Sequence, residues 1–239
     1  MEYHRRVMCR IFTFINRLAN TISKRGRIPR RIVEILKNYC WVRPVGFWLF
    51  DLTQSDAPWR RFREQHDNTV RWERATIERC RVWCESGADG FTGWRYDLLV
   101  RLIEEKRIVL VGYAHNADNN DPQVPDCYTT LALGYKLVIR RCSFEMEPDE
   151  GAIQTAYTRE QSRGRGLATR IYAELCCLAE ELGLTKVYAD IDLTNIASCR
   201  AAEKAGAFRM QDVIVYEITF FKHKYIVARG SLKNRFRQL

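Results

Sequence analysis

Apolar positions along the second half of the chain follow two rhythms, and the rhythm switches where the backbone must change its form. Leu167, Ile171, Leu175, Leu178 and Leu182 stand three or four positions apart, the spacing of one helical face, and predict a helix over residues 166–182. Val187, Ala189, Ile191 and Leu193 then alternate with other residues and predict a strand over 186–193, followed by a shorter helix over 196–205. Upstream, the aromatic run 46–52 predicts a first strand. The charged, Trp-bearing stretch 55–85 predicts one or two helices with a break at 65–68, where polar residues and His66 interrupt the pattern. Residues 87–93 predict a loop, and 96–105 a helix whose apolar side is Leu98, Leu99, Leu102 and Ile103. The middle predicts a strand over 107–113, a long polar, Pro-containing turn over 115–126, and one long strand over 128–140, with a bulge at Gly134 as the variant. A short strand over 153–158 precedes the long helix. Closing strands over 213–221 and 225–227 flank the basic turn Lys222-His223-Lys224. That order predicts an α/β fold with a mixed sheet flanked by helices, without internal repeats.

The first 45 residues differ from the rest. Ile11, Phe14, Ile15, Leu18 and Ile22 share one side of a predicted helix, flanked by Arg10, Arg17 and Lys24-Arg25-Gly26-Arg27. A second short helix is predicted over 31–39, and Pro44 closes the region. We therefore divide the chain into a basic, amphipathic helical extension, 1–45, and a main domain, 46–239. Of the formal charge of +10, residues 1–45 hold eleven Lys or Arg against Glu2 and Glu34, a net +9. Residues 222–239 hold six bases and no acids, so the middle sums to −5. Such an arm either docks its apolar face on the protein or another subunit, leaving a homodimer open, or lies through residues 1–28 on an anionic membrane. A nucleic-acid partner is not expected, because no helix-turn-helix or comparable docking element is present.

No stretch of eighteen apolar residues occurs, and the N-terminus does not have the pattern of a cleaved signal peptide, so a cytoplasmic protein, or one peripheral to the inner face of the membrane, is expected. The nine cysteines are odd in number and form neither a C-x-x-C pair nor a zinc framework, which predicts reduced, mostly buried thiols and no metal. His115 and His66 read as surface residues. Trp59, Trp72, Trp83 and Trp94 read mostly as core or subunit contact, with one or two free to bound a pocket.

Candidate chemistry concentrates in Gln161-Ser162-Arg163-Gly164-Arg165-Gly166-Leu167, directly ahead of the long helix. Gly164 and Gly166 let the backbone turn tightly and approach a ligand, while the unpaired N–H groups and dipole of the helix start favour an anion. Arg163 and Arg165 add positive charge. A pyrophosphate suits that description, although neither a Walker loop nor a complete G-x-G-x-x-G is present.

Gln161-Ser162-Arg163-Gly164-Arg165-Gly166 resembles the Q/R-x-x-G-x-G/A signature of the GNAT acetyltransferase superfamily, placed after a strand and opening a long helix. The later run Asn195-Ile196-Ala197-Ser198-Cys199-Arg200-Ala201-Ala202-Glu203-Lys204-Ala205-Gly206-Ala207-Phe208 is similar to the family's second segment. The resemblance is clear over 150–208 and extends in strand order over about 46–228. It implies a mixed, partly splayed sheet flanked by helices, and acetyl-CoA as cofactor. The implied reaction is transfer of the acetyl group to a primary amine on a small molecule or amino sugar, by direct attack on the thioester.

The resemblance also assigns residues. The backbone N–H groups of Arg163, Gly164, Arg165, Gly166 and Leu167 would hold the pyrophosphate, with Gln161 bracing the loop. Ala156 and Thr158 would hydrogen-bond the pantetheine arm. A backbone N–H near Gln154 and Thr155 would stabilise the oxyanion. Asn195 and Ser198 would neighbour the cofactor. Glu150, eleven residues ahead of Gln161, is the candidate base, where crowding by Glu145, Glu147 and Asp149 would raise its pKa; the alternative reading of the same run is a solvated acidic turn. Many relatives carry a Tyr four residues before the Gly of the second segment as acid to the leaving sulfur, whereas this chain has Ala202, leaving Tyr157, Tyr172, Tyr188, Cys199 or solvent for the role. The competing expectation is a CoA-binding protein without turnover, or a nucleic-acid-associated regulator using the basic ends.

Overall fold

The computed structural model describes residues 40–64, 69–114, 124–134, 136–139, 142–220 and 223–238. Two compact units result: Arg43–Glu217 with Tyr225–Leu239, and a smaller one of Met1–Val42 with Ile218–Lys224. Of the predicted extension, residues 1–39 lie outside the described residues, as do His66 and His115.

The main sheet contains strands β1 (Cys40–Asp51), β2 (Val70–Arg74), β3 (Ile108–Ala114), β4 (Cys127–Leu133), β7 (Glu150–Thr158), β8 (Lys186–Asp192), β9 (Phe208–Phe220) and β10 (His223–Arg229), ordered β10-β9-β1-β8-β7-β4-β3-β2. A second, three-stranded sheet runs β11-β6-β5, from Phe236–Gln238, Cys142–Glu145 and Lys136–Ile139. Strands β7 and β8 run parallel, because the long helix between them crosses the sheet, while β1 with β8 and β2, β3, β4 and β7 in turn pair antiparallel. The sheet is therefore mixed, as predicted.

Helices cover both faces. Helix α4 (Leu167–Glu181) buries Leu167, Ile171, Leu175 and Cys176 against Trp48, Leu110, Leu131, Ile153 and Val187. Helices α1 (Pro58–Glu64) and α5 (Ile196–Lys204) join that layer through Trp59, Ala201 and Ala202. Across the sheet, α2 (Ile77–Glu85) and α3 (Trp94–Glu104) pack Cys80, Trp83, Leu99 and Leu102 on Val109, Val111 and Tyr128. The Thr76 side chain caps α2 by accepting from the Arg79 N–H at 3.3 Å, a cap that contributes about 1 kcal/mol. Further along the same face the small sheet covers Phe47, Leu49, Ala152 and Tyr188 with Phe144 and Met146.

Several elements differ from expectation. Residues 55–85 are not purely helical: β2 lies between α1 and α2 and pairs antiparallel with β3 from Val70↔Ala114 to Arg74↔Leu110. Its interleaved Arg71, Glu73 and Arg74 suit the outermost strand of a sheet, where charge blocks further pairing. The long strand over 128–140 instead stops at Leu133, turns at Gly134 (φ 104°) and restarts as β5 in a hairpin with β6. Strand β7 starts at Glu150 rather than at 153. Strand β1 begins at Cys40 and runs through Pro44. His223 and Lys224 belong to β10 rather than to a turn, and β11 was not expected at all. Trp59 and Trp83 are core as expected, whereas Trp94 is 66% exposed. Burial pushes the Cys80 thiol up to about 12 and Cys176 well above its ordinary value, which keeps both protonated.

Candidate functional site: a splayed strand pair and an amide-lined turn

Strands β7 and β8 begin together and then part. Their pairing runs from Glu150↔Lys186 to Ile153↔Ala189 and stops, although β7 continues to Thr158 and β8 to Asp192. Beyond Ile153, β8 stays with β1, reaching Asp192↔Val45, while β7 stays with β4, reaching Thr158↔Cys127. Among the described residues, the edge of β7 from Gln154 to Thr158 therefore faces the gap with no strand partner on that side.

A bulge lies at the parting point. Between the pairs Leu131↔Ile153 and Thr129↔Ala156, Thr130 alone opposes Gln154 and Thr155. The distortion is held by side chains: the Thr155 N–H donates to Thr130 Oγ1 (3.1 Å), and the Thr129 hydroxyl donates to the Thr155 carbonyl (3.1 Å). One extra residue reverses the facing of everything after it. Ile153 packs on the α4 side, yet Tyr157 packs on the α2–α3 side, with its ring 5.6 Å from that of Tyr128. Because the Thr155 N–H is engaged, Gln154 is left as the expected donor at the bulge. Its Oε1 is buried and has no hydrogen-bond partner among the described residues.

At the top of β7 the chain makes a single 3-10 turn, Glu160–Ser162, and enters α4 through Gly164 (φ 78°) and Gly166 (φ 76°). A left-handed backbone there favours glycine, and a Cβ added at either would meet nothing within 4 Å, so the space above the turn is open. Gly166 caps α4 without a side-chain hydrogen bond, and no carboxylate occupies the first turn. Among the described residues, the N–H groups of Gly164, Gly166, Leu167 and Ala168 have no backbone acceptor. They are the amides that an anion at a helix start takes up. Leu167 itself is buried, whereas Gln161, Arg163 and Arg165 are exposed. The Arg163 Nε–H donates to the Thr158 carbonyl at 3.3 Å, which turns its side chain back along the loop. Ala168 was not among the expected residues. The motif quoted above also fits two residues later, as Arg163-x-x-Gly166-x-Ala168.

Two carboxylates that were also not expected hold this turn. Asp126 is 4% exposed: one oxygen accepts from the Ser162 hydroxyl and the other from the Ala114 N–H at 2.8 Å, while its carbonyl accepts from the Arg159 N–H at 2.8 Å. Asp89, in the loop between α2 and α3, accepts from the Tyr157 hydroxyl (2.8 and 2.7 Å) and from the Glu160 N–H (3.2 Å). In the sequence both read as solvated turn residues, and nothing local separates them from such residues.

Glu150 departs from expectation. It is 1% exposed, and it accepts from the Glu147 N–H (2.8 Å), the Tyr188 hydroxyl (2.9 Å) and the Arg235 guanidinium, with Lys186 Nζ at 3.7 Å. Burial pushes its pKa up, but the hydrogen bonds from Arg235, the Glu147 amide and Tyr188 together hold it below the ordinary carboxylate value. The expected rise is thus replaced by a lowering, since cations rather than carboxylates surround the group. Asn195 ends the turn that follows β8 and caps α5, its Oδ1 accepting at 3.2 Å from the N–H of Ser198 in the first turn of that helix. Ala202 is fully buried in the α4–α5 layer. Of the substitutes for an acid, Tyr172 is in the core, with burial raising its pKa to about 12, and the Tyr188 hydroxyl donates its hydrogen bond to Glu150. Burial also raises the Tyr157 hydroxyl, which points at Asp89, and the Cys199 thiol, which lies 3.7 Å from the Asp192 carbonyl.

A model of the Acetyltransferase (GNAT) family matches residues 52–207, well over half of the chain. Among solved structures, an acetyltransferase of the same family from Colwellia psychrerythraea is similar at 14% identity and a TM-score of 0.50, over 82% of this chain and 59% of that one. A functionally unknown conserved protein from Staphylococcus epidermidis gives 11% identity and 0.47, over 86% and 69%. A Drosophila protein gives 12% and 0.49, over 88% and 58%. Likeness at these identities is one of fold, and this chain spans less than two thirds of the Colwellia and Drosophila proteins. No curated protein sequence matches it.

Proposed function

Because the chain belongs to the Acetyltransferase (GNAT) family, we propose that it transfers an acetyl group from acetyl-CoA to a primary amine carried by a small molecule or an amino sugar. The observation that carries this is the placement of the amide-lined turn at Gly164–Ala168 directly above the parted strands β7 and β8.

The residues suit the cofactor. A diphosphate needs several convergent donors, a positive helix end and room for close approach, and the turn supplies all of these, with Arg163 and Arg165 beside it. An extended, amide-bearing arm needs a strand edge without a partner, and Ala156 and Thr158 lie on one. Gln161 lies exposed at the entry to the turn, and Asn195 and Ser198 at the start of α5, after β8, are assigned as neighbours of the cofactor. When bound, acetyl-CoA supplies an activated thioester carbonyl.

The protein's part in the reaction is positional and electrostatic. The turn and the strand edge are assigned to one reactant, and the bulge, where Gln154 and Thr155 are half-buried, to the other. The main-chain donor for developing negative charge is assigned to Gln154, since the Thr155 N–H is committed to Thr130. Glu150, engaged by Arg235 and Tyr188, shapes the base of the parted strands and is not assigned as base. The incoming amine then arrives neutral or loses its proton to solvent.

A second reading, CoA binding without turnover, draws support from the same engagement of Glu150 and from Ala202. One experiment separates the two: calorimetry with CoA, alongside release of CoA thiol from acetyl-CoA in the presence of a panel of amines. Saturable binding with amine-dependent release supports the transferase. Binding without release favours the second reading, and the absence of binding overturns both.

A further inference from the structure

Asp89 does more than cap a loop. It lies in residues 86–93, which join α2 to α3 on the acceptor side of the sheet, yet its hydrogen bonds leave that layer. Both carboxylate oxygens accept from the Tyr157 hydroxyl, and Oδ2 also accepts from the N–H of Glu160, the first residue of the turn that leads into the amide-lined loop. Tyr157 reaches this position only because the bulge turns it to the α2–α3 side. It is closely fitted there. Arg95 lies 4.2 Å over its ring, Tyr128 flanks it, and a Cβ at Gly90 would overlap it, while the φ of 88° at Gly90 independently favours glycine.

We propose that Asp89 is a positioning residue which, through Tyr157 and the Glu160 amide, couples the loop over the acceptor side to the loop that takes the cofactor's diphosphate. This rests on the CoA reading above. Filling the Gly164–Ala168 turn steadies the Glu160–Ser162 turn beneath it, which steadies Asp89 and with it residues 86–93. The acceptor side is thereby ordered by the cofactor, and the two substrates are linked in binding.

The test uses the whole protein with CoA as the probe, reading amide hydrogen exchange in wild type, Y157F and D89N. In wild type, saturating CoA slows exchange both at 164–168 and at 86–93, the latter about tenfold, the scale of one charge-assisted hydrogen bond. In Y157F and D89N, protection at 164–168 persists, while the CoA-dependent slowing at 86–93 falls below about twofold. A merely structural clasp would loosen 86–93 equally with and without CoA, and that result overturns the proposal. So does a wild type in which CoA protects 164–168 and leaves 86–93 unchanged. If CoA neither binds nor protects 164–168, the CoA reading itself fails and the coupling fails with it.

Discussion

Replacing Glu150 by Gln separates a structural carboxylate from a catalytic base. The side chain is 1% exposed and has donors on every side, and its closest partner, Arg235, is 20% exposed. Glutamine keeps one oxygen but turns an NH2 toward a donor, leaving one buried donor without a partner, which costs about 1–3 kcal/mol. It also removes the counter-charge of Arg235. Breaking a fully buried pair costs about 3–5 kcal/mol, reduced here because Arg235 keeps some solvent and donates to the Glu145 carbonyl. The expected loss at pH 7 is about 2–4 kcal/mol, or about 5–15 °C in Tm for a chain of this size. The pH dependence follows from the sign of the shift. A carboxyl held lower in the folded state contributes fully above its unfolded pKa of about 4.3, and the contribution is lost as pH falls through the folded value. The gap between wild type and E150Q should therefore be widest near neutrality and narrow steadily below about pH 4. Urea unfolding at several pH values measures it. If E150Q unfolds within about 0.5 kcal/mol of wild type while amine-dependent thiol release falls about a hundredfold or more, the carboxylate is acting as base and the structural argument is wrong.

Other expectations concern the turn. G166V places a branched side chain at φ 76°, costing about 1–2 kcal/mol of stability, and sets it over the open amides, so CoA affinity by calorimetry should fall about tenfold to a hundredfold while the circular dichroism of the fold is kept. D126A leaves the Ser162 hydroxyl and the Ala114 N–H without their acceptor, and should lower stability by about 2–4 kcal/mol in urea unfolding and weaken CoA binding by loosening the turn. W83A removes a fully buried indole from the α2–α3 layer, which should cost about 3–5 kcal/mol, read as a lower urea midpoint.

Much of the site was legible because its signals are local. The glycine spacing before a periodic helix indicated a tight turn at Gly164 and Gly166 and unpaired amides at the helix start. The same pattern read two residues later would have added Ala168. Glu150 was picked out by its spacing from Gln161, but its strand was expected to begin only at 153 and its environment was misjudged. The acids Glu145, Glu147 and Asp149 are neighbours in sequence, whereas Arg235, eighty-five positions away, is the neighbour in space. Asp89 and Asp126 were missed for the same reason, since a turn aspartate that grips a distant loop looks like any solvated one. Strand β2 was read as helix because its charges fit a helical surface as well as a strand edge.

By itself, then, the sequence determined what depends on a few adjacent residues: the long helix α4, the alternation of β8, the glycine turn and the membership these imply. Tertiary structure decided which groups meet. A single bulged residue chose the face on which Tyr157 lies, the parting of β7 from β8 chose where the strand edge opens, and a C-terminal arginine chose whether Glu150 holds its charge as a base or as an anchor. Such outcomes rest on pairing register and low-dielectric contact between remote segments, which no local pattern encodes.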